Sequence, residues 1–250
     1  MTDMWDELRR HTQARIGLGR AGNGLPTRRQ LEFVAAHAVA RDAVHTPLDV
    51  PALVERLRGL GLGLGEPLTM RSAADDRALY LRRPDLGRLP RPGTELPHSG
   101  ADIGIALCDG LSSTALATHG PALVSAITGA LPGLSVAPLV IATQARVALG
   151  DHIGAQLGVT TMLVLIGERP GLSVADSIGV YLTHHPRPGR SDAERNCVSN
   201  IHPPDGMTCD HAARVVAALV DGARTLGASG VTLKDTSREP SLRDAERRAL

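Results

Sequence analysis

An α/β fold is what this sequence predicts: a mostly parallel sheet with helices on both faces (Rossmann-like), preceded by an N-terminal helical region. Three features carry the expectation. An apolar run beginning at Met162 stops abruptly at Gly167-Glu168-Arg169-Pro170-Gly171, as a strand buried on both faces does when it meets a set of breakers. From residue 100 onward, apolar runs alternate with turns and amphipathic stretches, the rhythm of a parallel sheet crossed by helices. Before residue 100 helical spacing prevails, and a Pro-rich stretch, residues 90–100, separates the two parts. The chain divides accordingly into an arm and helical region (1–100), an α/β domain (101–235) and a charged tail (236–250) expected to fray.

In order, residues 4–13 predict a short helix within an arm that spans residues 1–24. Over residues 27–44, Leu31, Val34, Ala35, Ala38 and Val39 recur at helical spacing, with Thr27 as the expected cap. Residues 49–60 predict a second helix, with Asp49 at its N-cap and Pro51 just inside. The Gly-rich stretch 59–65 breaks the chain. Residues 103–108 then read as a strand, Asp109-Gly110 as its turn, and Ser112 or Ser113 as the start of a helix running to about residue 118. Further strands are expected over 135–143, 159–166, 179–183 and 231–233. A short helix is expected over 153–157, and a long amphipathic one over 209–226, built on Val215, Val216, Leu219 and Val220.

Composition excludes several classes of function. Apolar residues make up 42% of the chain but aromatic ones only 2%, so Leu, Val, Ile and Ala must fill the core. A net charge of +1 provides no global field, and nucleic-acid binding is not expected. Apart from Lys234 the basic side chains are all Arg, whose planar forks suit interface and amide-carbonyl contacts. Three cysteines, Cys108, Cys197 and Cys209, are too few and too odd in number for a disulfide framework, which fits a reducing cytoplasm. The first thirty residues hold no apolar core of a secretory signal, and no apolar run is long enough to span a membrane.

Glu168 and Arg169 stand at the carboxyl end of the expected central strand, where open parallel sheets bind their ligands. The polar block Asp192-Ala193-Glu194-Arg195-Asn196-Cys197-Val198-Ser199-Asn200-Ile201 reads as a second wall of the same pocket. A surface ion pair is the competing reading of Glu168-Arg169, and a small core hydrophobe that of Cys197. Other constellations carry less. Arg15–Gly24 has the small residues of a phosphate loop but no strand before it. Ser112 lacks the flanking glycines of a nucleophile elbow and reads as a helix cap. Cys197, His202, Cys209 and His211 depart from the close pairs of structural zinc sites, and His37, Asp42 and His45 read as one solvated or partner-facing helix side. His184-His185 reads as a loop edge. No catalytic residue and no metal ligand is assigned.

Several blocks resemble the small subunit of ethanolamine ammonia-lyase. They are residues 12–22 (TQARIGLGRAG), 41–48 (RDAVHTPL), 80–87 (YLRRPDLG), 109–112 (DGLS), 146–151 (RVALGD), 167–172 (GERPGL) and 195–201 (RNCVSNI). They lie in order and cover roughly residues 8 to 235. The resemblance implies a subunit of a hetero-oligomeric carbon–nitrogen lyase that turns ethanolamine into acetaldehyde and ammonia by radical deamination. It implies adenosylcobalamin as cofactor, held with its own base as lower ligand. A barrel-type large subunit is the implied partner, with neither nucleic acid nor membrane involved; the Gly-rich backbone and Arg side chains of Arg15–Gly24 and the helix from Thr27 suit a draped contact with it. The cofactor-binding residues carried over by motif are Val147, Glu168 and Cys197. A cytoplasmic setting is implied, with a bacterial microcompartment as the alternative setting the family brings.

The chemistry suits these positions. A corrin ring is broad and apolar, fringed by carboxamides that offer donors and an acceptor. Val147 offers a backbone carbonyl and an apolar side chain, Glu168 a charged acceptor, and Cys197 small bulk with a weak donor. Two other classes of function stay open on the residues alone: a stand-alone α/β ligand-binding protein and a non-catalytic assembly protein.

Overall fold

In the computed structural model, residues 4–235 and Ser237 are described. Residues 1–3 and, Ser237 apart, the charged tail expected over 236–250 lie outside the described residues. Six strands form one sheet: β1 (Leu68–Arg71), β2 (Ile103–Cys108), β3 (Val140–Thr143), β4 (Thr161–Gly167), β5 (Ile178–His184) and β6 (Asn196–Ile201). Their order is β1-β3-β2-β4-β5-β6. The first four in that order run parallel, while β5 and β6 extend the sheet antiparallel.

The parallel centre is buried on both faces, and every residue of β2 and β4 is buried. Side chains alternate between two cores. Ile103, Ile105, Leu107, Leu163 and Leu165 pack on one side against α3 (Val50–Arg58), α5 (Ser113–Gly129) and α7 (Cys209–Leu226). Ala106, Cys108, Met162, Val164 and Ile166 pack on the other against Leu149, Ile153 and Leu157 of α6 (Leu149–Leu157). Helices therefore cover both faces, as the sequence predicts.

Local chemistry sets the helix ends. Asp49 and Ser112 cap α3 and α5 by accepting from the N–H of Ala52 and Ala115, satisfying donors the helix cannot. Thr208 does the same for α7 through His211 N–H. Thr27 does not act as a cap: it is the first helical residue of α2 (Thr27–His45), and Pro26 precedes it without a side-chain bond. The helix begun by Ser113 continues to Gly129, past the Gly120-Pro121 breaker. Both breakers are buried there, and a Cβ on Gly120 would already touch Leu116 and Leu107.

The remaining differences lie where pattern is weak. Residues 231–233 form no strand; Val231 N–H bonds Ala193 O and Leu233 N–H bonds Gly230 O, as a turn pinned by Asn196. The first helix, α1, covers only Met4–Arg9. β1, the short helix α4 (Arg77–Arg82) and the edge strand β6 were not marked by periodicity. On α2 the apolar positions that predict a buried stripe face outward: Leu31, Val34 and Val39 are exposed by more than half, and only Ala43 is buried.

Candidate functional site

The connection leaving β2 is α5, on one face of the sheet, and the connection leaving β3 is α6, on the other. Two neighbouring strands whose connections part in this way open a crevice beyond their carboxyl ends. A cleft of about 410 Å³ occupies that place, lined by Tyr80, Gly110, Leu111, Arg146, Val147, Ile166, Gly167, Glu168, Arg169 and Tyr181.

Its floor depends on glycine. Gly110 has φ +55°, and a Cβ there would lie 2.2 Å from the carbonyl oxygen of Gly167. A Cβ on Gly167 would lie 1.9 Å from Ser112 O. The loops after β2 and β4 thus meet backbone to backbone, joined by Leu111 N–H to Gly167 O at 2.9 Å. Only residues without side chains permit that approach.

A charged scaffold holds the third loop. Asp109, buried at the end of β2, accepts from the N–H of Gln144 and Ala145, each at 2.9 Å, and faces Arg77 at 3.3 Å. Burial raises the Asp109 pKa, while the two N–H bonds and Arg77 oppose the shift. Tyr80 is wholly buried and donates to Ala145 O at 3.0 Å. The guanidinium groups of Arg77 and Arg146 lie 4.9 and 4.5 Å from its ring centroid, a cation–π arrangement on a desolvated ring. Burial, and then the Asp109 charge, push the Tyr80 hydroxyl up, so it stays a neutral donor.

Of the three residues carried over by motif, the structure brings two together and sets Cys197 in a separate depression between β6 and α7. Val147 and Glu168 line the same cleft. Glu168 follows β4, donates its N–H to Ser177 O at 2.9 Å, and accepts Asn200 N–H at 3.2 Å through Oε2. The block 192–201, expected as a second wall, contributes no residue to the lining; it meets Glu168 only through the Asn200 N–H. Gly179 leaves room for the carboxylate: a Cβ there would stand 3.0 Å from Glu168 Oε1. Cys197 does not line the cleft itself. It is the register partner of Tyr181, which does, and its thiol faces the Tyr181 hydroxyl. Desolvation raises the Cys197 thiol pKa, the Glu168 charge adds to the shift, and the Tyr181 hydroxyl opposes it.

Tyr80, Arg146 and Tyr181 are site residues that the pattern of the sequence did not single out by themselves. Tyr80 and Arg146 fall inside the YLRRPDLG and RVALGD blocks. Tyr181 lies in a strand whose mostly apolar pattern hides its phenol. Among the described residues no group of His, Cys, Asp and Glu is placed to hold a metal ion. Ser112 spends its hydroxyl on a bond to Ala175 O and on the cap of α5. No helix among the described residues is long and apolar enough to cross a membrane.

An α/β scaffold with a cleft at its switch point, rimmed by an acceptor and by aromatic and cationic groups, is the class these features define. The family model of the ethanolamine ammonia-lyase light chain matches residues 2–234. A curated ethanolamine ammonia-lyase small subunit from Rhodococcus erythropolis is 59% identical over 98% of this chain and 95% of its own length. Those of Ralstonia nicotianae and Bradyrhizobium diazoefficiens are 45% and 46% identical, covering 98% and 95% of this chain and 93% and 92% of theirs. The chain belongs to the ethanolamine ammonia-lyase small-subunit family.

Proposed function

We propose that this chain is the cofactor-covering subunit of an adenosylcobalamin-dependent ethanolamine ammonia-lyase. Together with a large subunit it would convert ethanolamine to acetaldehyde and ammonia by radical deamination, and alone it would be inactive. One observation carries the reading: Val147 and Glu168 line one switch-point cleft, with Cys197 one strand away behind Tyr181. Membership of the family supports it, since the relatives' names specify a small subunit of this lyase.

The residues present fit such a cofactor. The lining combines apolar surface from Leu111, Val147 and Ile166 with a carboxylate acceptor on Glu168 and cationic donors on Arg146 and Arg169. Arg146 Nε is buried without a hydrogen-bond partner, so the wall of the cleft holds a donor left unpaired in the chain itself. A corrin edge has both needs, an apolar ring and carboxamides that donate and accept. At about 410 Å³ the cleft takes an edge of such a molecule rather than the whole, as a covering subunit should.

When bound, adenosylcobalamin supplies the radical chemistry, and the protein supplies position and shelter. In this reading Val147, Glu168 and Cys197 hold and orient the corrin edge and keep water from it. Residues 1–100 contribute the partner contact. Their support is the outward stripe of Leu31, Val34 and Val39 on α2, with Trp5 and Phe33 also exposed. The arm reaches the site's own loop, for Arg15 donates to Leu172 O and Ser173 donates to Gln13 O, each at 2.9 Å. A cytoplasmic complex, in a bacterial microcompartment where the host makes one, is the matching setting. The test is co-expression with the large subunit and assay of ammonia release with added adenosylcobalamin. Release that requires both chains and the cofactor is expected; release from this chain alone, or a complex indifferent to cobalamin, would refute the reading.

A further inference from the structure

Two of the motif blocks share a contact that lies outside the cleft. Arg195 begins RNCVSNI and Asp151 ends RVALGD. Their side chains are each 98% buried and meet as a two-pronged pair, Nη1 to Oδ1 at 2.6 Å and Nη2 to Oδ2 at 2.7 Å. The second proton on Nη1 goes to Thr183 Oγ1 at 2.9 Å, and that on Nη2 to Arg190 O at 2.9 Å. Nε donates to Asp192 Oδ1 at 3.3 Å. All five N–H donors of the guanidinium are thereby used, which a lysine cannot reproduce.

These acceptors come from α6, from β5 and from the loop before β6, so one side chain ties three segments together. Val147 stands one turn ahead of Asp151, at the entry of α6, where its carbonyl accepts Gly150 N–H at 2.9 Å. Cys197 lies two residues beyond Arg195. Burying an ion pair where apolar side chains would pack as well adds little stability. What a fork of this kind does provide is a fixed geometry between the segments it joins.

We propose that Asp151 and Arg195 are positioning residues that set Val147 and Cys197 at the separation one corrin edge requires. The inference rests on the cofactor reading above. The pair touches no cofactor in this account and acts only through the two contacts it fixes.

The test uses the two-chain complex and measures the apparent adenosylcobalamin Kd by spectroscopic titration, with thermal unfolding as control. Arg195→Lys and Asp151→Glu keep both charges but lose the fork, so one remains informative if the other fails to fold. Each should raise Kd about tenfold, as misplacing one polar contact does, and leave turnover at saturating cofactor within about twofold. The decisive variant combines Arg195→Lys with Cys197→Ala. Its Kd should not exceed that of Arg195→Lys alone by more than about twofold, because a misplaced Cys197 has nothing further to lose. A Kd equal to the product of the single effects would overturn the proposal, as would variants that lower the Tm with Kd unchanged. If the wild-type complex binds cobalamin but Cys197→Ala and Glu168→Ala both leave Kd unaltered, the proposed site fails, and the inference with it.

Discussion

Glu168→Gln is the substitution that separates a cofactor acceptor from a structural carboxylate. In the structure Oε2 of Glu168 already accepts Asn200 N–H at 3.2 Å, and the other oxygen stands over Gly179 at the cleft. A carboxylate satisfies both directions, since it is acceptor-only on two oxygens. Glutamine has one acceptor oxygen. If that oxygen stays with Asn200, an NH2 is turned toward the corrin edge, where a carboxamide donor needs an acceptor. Exchanging a charged acceptor for a neutral or mismatched one costs about 1–2 kcal/mol, on the order of a tenfold rise in apparent adenosylcobalamin Kd. Glu168→Ala should cost more, because the corrin donor then faces a gap that admits water poorly. Fold stability should change little in either variant, because Asn200 is exposed and its N–H can turn to water. The assay is ammonia release against adenosylcobalamin concentration for the two-chain complex, with thermal unfolding alongside. Unchanged Kd in both variants would remove Glu168 from the site. Lost turnover at saturation with a normal Kd would show that its role is in the reaction itself.

Four further expectations come from other parts of the fold. Cys197 has its thiol pKa raised, first by desolvation, so its alkylation, followed by peptide mass spectrometry, should still be accelerating above pH ~8.5, the usual thiol range; a plateau below pH 8 would contradict the assigned surroundings. Asp102 is held at a pKa of about 2, first by the Ser135 hydroxyl, then by Ser135 N–H and Arg224. A depressed carboxylate pKa gives stability that is present above the unfolded value near 4 and lost as pH falls toward 2, so Asp102→Asn should flatten acid unfolding in that window, and an unchanged profile would contradict it. Gly110→Ala sets a Cβ against Gly167 O at φ +55° and should cost about 2 kcal/mol or more in urea unfolding; a neutral result would mean the floor of the cleft yields easily. Deleting residues 1–24 should weaken association with the large subunit about tenfold or more in a binding titration while leaving the unfolding of the sheet nearly unaltered, and unaltered affinity would remove the arm from the interface.

What the sequence made legible follows burial. The strands at Ile103–Cys108 and Thr161–Gly167 are unbroken apolar runs because both of their faces are covered, and α7 was readable to the residue because Val215, Val216, Leu219 and Val220 share one buried stripe. β6 was not, since Cys197, Ser199 and Asn200 face solvent at the sheet's edge and only Val198 and Ile201 are buried. β1 has four residues and one buried side chain, too few to set up an alternation. The reach of α5 past Pro121 was hidden because a local breaker rule yields to packing when the helix is held on both sides. α2 shows the converse: helical spacing marked the helix, but Leu31, Val34 and Val39 stay more than half exposed and only Ala43 is buried.

The candidate site was legible in a different way. Glu168 could be placed from the strand end alone, and Asn200 from the polar block, and a hydrogen bond joins them. Tyr181 could not be found, because its relation to Cys197 is set by antiparallel register between β5 and β6, and a strand pairing of that kind leaves no trace in spacing. Nor could Asp151–Arg195, a pair forty-four residues apart that only the fold brings together.

The central claim is that a corrin edge rests on this cleft, and a structure of the two-chain complex with adenosylcobalamin bound measures that directly. The account predicts a carboxamide of the corrin within hydrogen-bond distance of Glu168, with Val147 and Cys197 in contact with the same edge and Arg146 turned toward an acceptor. Cobalamin bound wholly within the large subunit, or against another face of this chain with the cleft between Val147 and Glu168 empty, would contradict it.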